Sequence, residues 1–304
     1  MRWEDVNKNL STRVIDSVKN QINNPDKKRS QSTHIITSSN DLGVIRNGGR
    51  NGSLYGPRAI LSVLSKMAKT SIDRNIFHLE TVDKEITNFD HFQAEQINSI
   101  KKITDNTNGF FIHLASGHDG IYPFIKAISA NNKVVVINLD AHLDTRQDKV
   151  AHSGTPFRQL ANELGKKLQL IQVGIHDFAN APSNYQDVNM EVVTMSQLKE
   201  KTSNMTDNKK FINDLLGPLK REPNLRVVIS IDIDAIDGSE MKAVSAVNHD
   251  GIKTEFIREL LRTYKKDFED CYVGLYEYNP LFDDLGMSGA RSICSLIHPF
   301  FYSN

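Results

Sequence analysis

Two rhythms of apolar and polar residues alternate along the chain. Short β-branched runs at residues 33–38, 76–79, 110–114, 134–139, 168–175, 225–234 and 271–280 predict buried strands. Between them lie stretches with apolar positions three and four apart, predicting helices over residues 57–67, 92–100, 121–129, 208–220, 255–265 and 287–298, while 151–160 reads as a turn running into a helix. Residues 1–30 are polar and read as a short helix followed by a loop, an N-terminal extension. Strands alternating with helices imply β-α-β units, hence an α/β fold with a three-layer, doubly wound parallel sheet. Without an internal repeat or linker, residues 1–304 are expected to form a single domain.

The run Val134-Val135-Val136-Ile137-Asn138-Leu139 leads into Asp140-Ala141-His142-Leu143-Asp144. Asp140, His142 and Asp144 are metal-competent, and period-two spacing would set them on one side of an extended segment. Two carboxylates and an imidazole packed together repel and desolvate poorly without a cation. In an open parallel sheet, ligands bind beyond the carboxyl ends of the strands. Three other predicted strands also end in candidate groups: His118, the pair Asp232 and Asp234, and Glu277. His118, Asp140, His142, Asp144, Asp232 and Asp234 form an oxygen-rich set suited to Mn²⁺, with Zn²⁺, Co²⁺ or Fe²⁺ also possible. Six protein ligands are too many for one ion with an open position but fit two ions sharing carboxylates, an arrangement that activates water. His113 reads as a strand histidine and Asp237 as a turn cap.

Composition adds exclusions. Lys plus Arg and Asp plus Glu number 37 each, for a formal net charge of zero, so neither nucleic acid nor an anionic membrane is an expected partner. No apolar run approaches a bilayer span, and the start of the chain does not resemble a signal peptide. Cys271 and Cys294 read as two buried thiols in a reducing compartment, giving a cytoplasmic expectation. The glycine-rich segment from Gly43 to Pro57 has neither a Walker lysine nor the dinucleotide spacing, and implies unusual backbone angles or close approach to a ligand.

The motifs resemble the ureohydrolases, the arginase and agmatinase superfamily, over nearly the whole chain. Ser116-Gly117-His118-Asp119 is similar to the family's glycine-rich histidine motif, and Asp140 to Asp144 matches D-A-H-x-D. Residues 230–237 match S-x-D-x-D-x-x-D, and Glu277-Tyr278-Asn279-Pro280 matches E-x-N-P. Within the family, Gly117-His118-Asp119, Arg46-Asn47-Gly48-Gly49-Arg50, the stretch 153–159 and Asn279-Pro280-Leu281-Phe282-Asp283 resemble formimidoylglutamase.

The resemblance implies an arginase-like fold, two Mn²⁺ per chain held by the six residues above, and a homo-oligomer. It further implies hydrolysis of a small-molecule amidine, N-formimidoyl-L-glutamate, to L-glutamate and formamide in histidine degradation. Glu277 would pair with the cationic amidine, and Arg146, where arginases carry an asparagine, would hold a carboxylate tail. That choice argues against agmatine, which has no carboxylate. Arg50, Arg158, Ser153 and Ser245 are further candidate substrate contacts. Ser153 takes the place of the family's proton-shuttling histidine, so the leaving-group proton falls to its neighbour His152, to Asp144 or to water. Gly238 replaces a family proline, and Ser239-Glu240-Met241-Lys242 differs from the usual loop. The rival readings are another ureohydrolase specificity (guanidino acid, arginine or agmatine) and a catalytically silent, regulatory subunit.

Overall fold

The computed structural model describes residues 18–20, 32–67, 74–81, 87–105, 107–130 and 132–302. Among the described residues, nine parallel strands form one sheet: β1 (Val18–Asn20), β2 (Ser32–Ser38), β3 (Asn75–Glu80), β4 (Phe110–Ala115), β5 (Lys133–Leu139), β6 (Leu168–Ile175), β7 (Met190–Thr194), β8 (Leu225–Asp232) and β9 (Cys271–Tyr276). Their spatial order is β1-β3-β2-β4-β9-β8-β5-β6-β7.

The interior strands are apolar on both faces because helices cover both sides. In β5, Val135, Ile137 and Leu139 enter one core, whereas Val134 and Val136 enter the other. The first core packs against α2 (Gly56–Lys66), α6 (Met195–Lys201), α7 (Met205–Leu216), α8 (Thr254–Asp267) and α9 (Ser288–Ile297). The second packs against α3 (Phe89–Thr104), α4 (Ile121–Ile128) and α5 (Pro156–Leu164). The result is the expected three-layer α/β/α arrangement. A one-turn helix, α1 (Leu42–Arg46), follows β2 and opens the glycine-rich segment. Pro57 sits in the first turn of α2, where its missing N–H and fixed φ are tolerated. Cys271 and Cys294 are both free and buried, and no described helix is long and apolar enough to cross a membrane.

The structure corrects several local expectations. Val18–Asn20 is an edge strand beside β3, not helix or loop, and the rest of residues 1–30 lies outside the described residues. An edge strand pairs on one side only and so accepts polar residues. β7 is a second edge strand that the hydrophobic pattern did not reveal. It runs straight into α6 through a capping box in which Thr194 and Gln197 satisfy each other's backbone N–H groups. β8 and β9 stop at Asp232 and Tyr276, short of the predicted ends, so Asp234 lies in a 3-10 turn and Glu277 in irregular chain past the strand.

Candidate active site

Strands β4, β9, β8 and β5 are immediate neighbours at the middle of the sheet, and each carries a candidate group just past its carboxyl end. His118 opens a short 3-10 turn after β4, and Asp140 follows β5 directly. Asp232 ends β8, and its Oδ1 accepts the backbone N–H of Asp234 at 2.8 Å, folding the chain back at once. Glu277 follows β9 with φ of 66°. That left-handed backbone is uncommon for a residue other than glycine, and such strain concentrates at functional sites.

Three carboxylates converge on one imidazole nitrogen. His118 Nδ1 lies 2.8 Å from Asp144 Oδ2, 3.1 Å from Asp140 Oδ2 and 3.2 Å from Asp232 Oδ2. On the other side, His142 Nδ1 is 3.5 Å from both Asp140 Oδ1 and Asp234 Oδ2. Candidate ligand atoms therefore form two groups, one of His118, Asp140, Asp144 and Asp232, the other of Asp140, His142 and Asp234. Asp140 belongs to both, giving one oxygen to each. The far nitrogen of His118, Nε2, lies 2.9 Å from Ser230 Oγ, which orients the ring as outer partners of metal-binding histidines do.

The residues present fit a pair of cations. Asp234 Oδ1 is buried without a hydrogen-bond partner among the described residues, and three carboxylates crowd the single Nδ1 of His118. Burial and the charges of Asp234 and Asp140 drive the Asp232 carboxyl far above its ordinary range, and burial with Asp140 raises that of Asp144. Burial opposes charge on His118, yet the three surrounding carboxylates hold its pKa well above that of a free imidazole. Such a set is frustrated alone and relieved by positive charge. Four aspartates would balance two divalent ions, and neutral imidazole is the ligand form they require.

Period-two spacing is not what brings Asp140, His142 and Asp144 together. The chain leaves the sheet after Leu139 and curls, and Asp144 has φ of 51°. Asp140 Oδ1 accepts the N–H of His142 at 2.7 Å. Asn180 Oδ1 accepts the N–H of Leu143 at 2.8 Å, while Gln172 Nε2 donates to its carbonyl at 2.9 Å. The loop is pinned from both sides, and the ligands face one point because of it.

Above this cluster opens a cleft of about 400 Å³. His142, Asp144, Asp232, Asp234 and Glu277 bring imidazole and carboxyl groups to its lining, and Asn47, Arg50, Arg146, Ser153 and Ser245 bring hydrogen-bond donors. Glu277 Oε1 accepts the N–H of His118 at 3.0 Å, and burial pushes its carboxyl up to about 8. Arg146 Nη1 donates to Asn47 Oδ1 at 2.6 Å, and its Nη2 pairs with Asp148 Oδ2 at 2.8 Å. Ser245 Oγ accepts the backbone N–H of Arg50 at 2.7 Å. The Arg50 guanidinium donates to the Val244 carbonyl and lies 3.7 Å from the centre of the Phe282 ring.

His118 and Asp140 lie beneath the lining, and two residues expected to contact substrate or pass a proton, Arg158 and His152, are absent from it too. Arg158 spends its guanidinium on the carbonyls of Thr145, Gln186 and Ser183, at 2.9, 2.7 and 3.5 Å, and is a brace of the surrounding loops. His152 has both ring nitrogens engaged, Nε2 with Asp148 Oδ2 at 2.8 Å and Nδ1 with the N–H of Gly154 at 3.0 Å. Conversely, Asn47, Asn180 and Asn184 line the cleft without having been singled out. Asp119 was missed as well. It is buried beside His118, its Oδ1 has no partner among the described residues, and burial pushes its carboxyl up to about 7. Gly117 makes room for it, since a Cβ there would overlap the Asp119 carboxylate.

Known proteins resemble this chain over most of its length. The sequence pattern of the Arginase family matches residues 35–302. A formimidoylglutamase from Klebsiella pneumoniae is 30% identical over 269 residues, covering 84% of this chain and 80% of its own. One from Cupriavidus pinatubonensis is 26% identical over 255 residues, covering 80% and 78% respectively. Among solved structures, formimidoylglutamase from Bacillus subtilis superposes with a TM-score of 0.81 at 20% identity, covering 95% of this chain and 91% of that one. Trypanosoma cruzi formiminoglutamase, solved with two Mn²⁺, gives 0.74 at 21% identity, covering 91% and 97%. With a parallel sheet whose four central strands end in histidine and carboxylate groups, and with a family pattern running from β2 to the end of the described residues, the chain belongs to the arginase family.

Proposed function

We propose that this protein hydrolyses N-formimidoyl-L-glutamate to L-glutamate and formamide, using two Mn²⁺ held by His118, Asp140, His142, Asp144, Asp232 and Asp234. The lining of the cleft carries the reading: it holds carboxyl groups, Glu277 among them, together with donors, Arg146 among them. The substrate has the complementary polarity, a cationic amidine at one end and two carboxylates at the other. The relatives named formimidoylglutamase support the same reading.

When bound, the two ions supply Lewis acidity and bring the pKa of water towards neutrality. The chain's own residues do the rest. Glu277 faces the amidine and, when ionised, pairs with its N–H groups. Ser230 fixes the His118 ring, and Asn180 with Gln172 fixes the loop that carries His142 and Asp144. Water adds to the formimidoyl carbon, the bond from that carbon to the glutamate nitrogen breaks, and the nitrogen takes a proton. Water thus supplies the oxygen of formamide and the hydrogen gained by glutamate. Asp144, in the cleft lining, or water would pass that proton, since both ring nitrogens of His152 are engaged elsewhere.

The test is a substrate panel on purified, Mn²⁺-loaded protein: N-formimidoyl-L-glutamate, arginine, agmatine and a guanidino acid. Formamide and glutamate from the first, with little urea from the others, is the expected result. Urea from a guanidino substrate without formamide would overturn the assignment, and no turnover at full metal content would favour a silent subunit.

A further inference from the structure

The Arg46-Asn47-Gly48-Gly49-Arg50 segment carries a side chain that nothing in the reaction has yet used. Asn47 follows α1, and its amide reaches two other residues of the cleft lining at once. Its Oδ1 accepts from Arg146 Nη1 at 2.6 Å, and its Nδ2 donates to Ser153 Oγ at 3.1 Å. This orientation is forced. A guanidinium has five donors and no acceptor, so the amide oxygen must face Arg146 and the amide N–H must face Ser153. Ser153 Oγ is thereby used as an acceptor, which frees its own hydrogen to donate. Asp148 holds Arg146 from the other side at 2.8 Å. Arg146 is half-exposed, and without these two anchors its long side chain would be free to leave the cleft.

The geometry points to Asn47 as the positioning residue for substrate selection, locking Arg146 and Ser153 into one donor wall that receives a substrate carboxylate. This inference rests on the formimidoylglutamase reading above. Arg146 and Ser153 make the contacts, and Asn47 acts through them. Replacing Asn47 with Asp keeps an acceptor for Arg146 but turns the Ser153 hydroxyl inward as a donor and adds a negative charge beside the carboxylate subsite. Replacing it with Leu removes both anchoring bonds.

Wild type, Asn47→Asp and Asn47→Leu, all Mn²⁺-loaded and checked for metal content and melting temperature, would be assayed on two substrates. One is N-formimidoyl-L-glutamate; the other is N-formimidoyl-4-aminobutyrate, which lacks the α-carboxylate. L-Glutamate binding would be measured by calorimetry alongside. Asn47→Asp is expected to raise KM for the first substrate at least tenfold with a kcat loss below threefold. KM for the truncated substrate should move less than threefold, and L-glutamate binding should weaken about as much as KM rises. In an Arg146→Asn background most of the Asn47→Asp effect should vanish, because the two act as a unit. Equal losses on both substrates, or a loss carried by kcat, would overturn the role, and so would unchanged kinetics in an active enzyme. Wild type that binds L-glutamate through Asn47 but does not turn over formimidoylglutamate would overturn the function and uphold the residue. Wild type that does neither would overturn both. Should Asn47→Asp not fold, Asn47→Leu gives the same comparison.

Discussion

The imidazole of His118 lies against the phenol ring of Tyr276, with centroids 5.0 Å apart and planes 22° from parallel. Phe157 meets the same imidazole edge-on at 5.5 Å. The ring is therefore fixed by packing on two sides as well as by Ser230. The Tyr276 ring folds back over Gly274, where a Cβ would overlap its hydroxyl group. Tyr276→Phe should keep Mn²⁺ affinity within about threefold, since the stacked face survives. Tyr276→Ala and Gly274→Ala should each weaken it by tenfold or more, the range found for residues that orient metal ligands. Titrating Mn²⁺ into each metal-free variant decides this, and equal affinity in all four proteins would show that the stack does not position His118.

Asp140 gives an oxygen to each ligand group, whereas Asp234 serves only the second. Elemental analysis after Mn²⁺ loading should find far fewer than two ions in Asp140→Asn and close to one in Asp234→Asn. Metal should also stabilise the fold, by about 2.7 kcal/mol when free Mn²⁺ stands at 100 times its Kd. A chelator should lower the melting temperature of wild type and have a much smaller effect on Asp140→Asn. Two ions in Asp140→Asn would contradict the shared role.

Burial lowers the pKa of His113 from 6.5 to about 3, and that of His78 from 6.5 to about 4. Both are neutral in the fold and gain a proton more readily when unfolded. Their contribution to stability is therefore complete above pH 6.5 and is lost as the pH falls through the folded values. At pH 4.5, two units below the unfolded pKa, His113 alone costs roughly 3 kcal/mol. Urea unfolding of chelated protein at pH 7 and 4.5 should lose less stability for His113→Asn than for wild type. Parallel losses would mean that His113 does not drive the acid sensitivity.

Arg158 is a brace. Arg158→Met should leave the Thr145 and Gln186 carbonyls short of a partner and lower stability by about 2 kcal/mol. KM for substrate should stay within twofold, because the side chain does not line the cleft. A tenfold rise in KM with an unchanged melting temperature would return Arg158 to the binding site.

What the sequence made legible follows physical lines. The buried strands and their order with the helices were readable because burial on both faces leaves near-continuous β-branched runs, as in Val134 to Ile137. The six candidate ligands stood out because Asp and His seldom follow such runs without a purpose. How Asp144 reaches His118 was not readable, since it depends on one left-handed residue and on Asn180 and Gln172 from elsewhere in the chain. Arg158 and His152 look like cleft residues in a linear reading, and only packing shows their side chains engaged by carbonyls and by Asp148. Asn47 had a faint signal, a polar residue between Arg46 and two glycines, with no periodicity to point at its partners.

The strand order sets a schedule for assembly. β8 and β9 come last in the chain yet sit between β4 and β5. Until they are in place, the half-sheets β1-β3-β2-β4 and β5-β6-β7 share no strand ladder. During synthesis, His118 and Asp140 thus wait on separate pieces until β9 ends at Tyr276, 158 residues after the first and 136 after the second. Pairings so distant in sequence form slowly and leave strand edges open meanwhile. A nascent chain stalled before residue 271 would already contain every candidate metal ligand, yet β4 and β8 would lack the strand that joins them. The chemistry of this protein is therefore a late property of its folding, acquired when the final strand closes the gap.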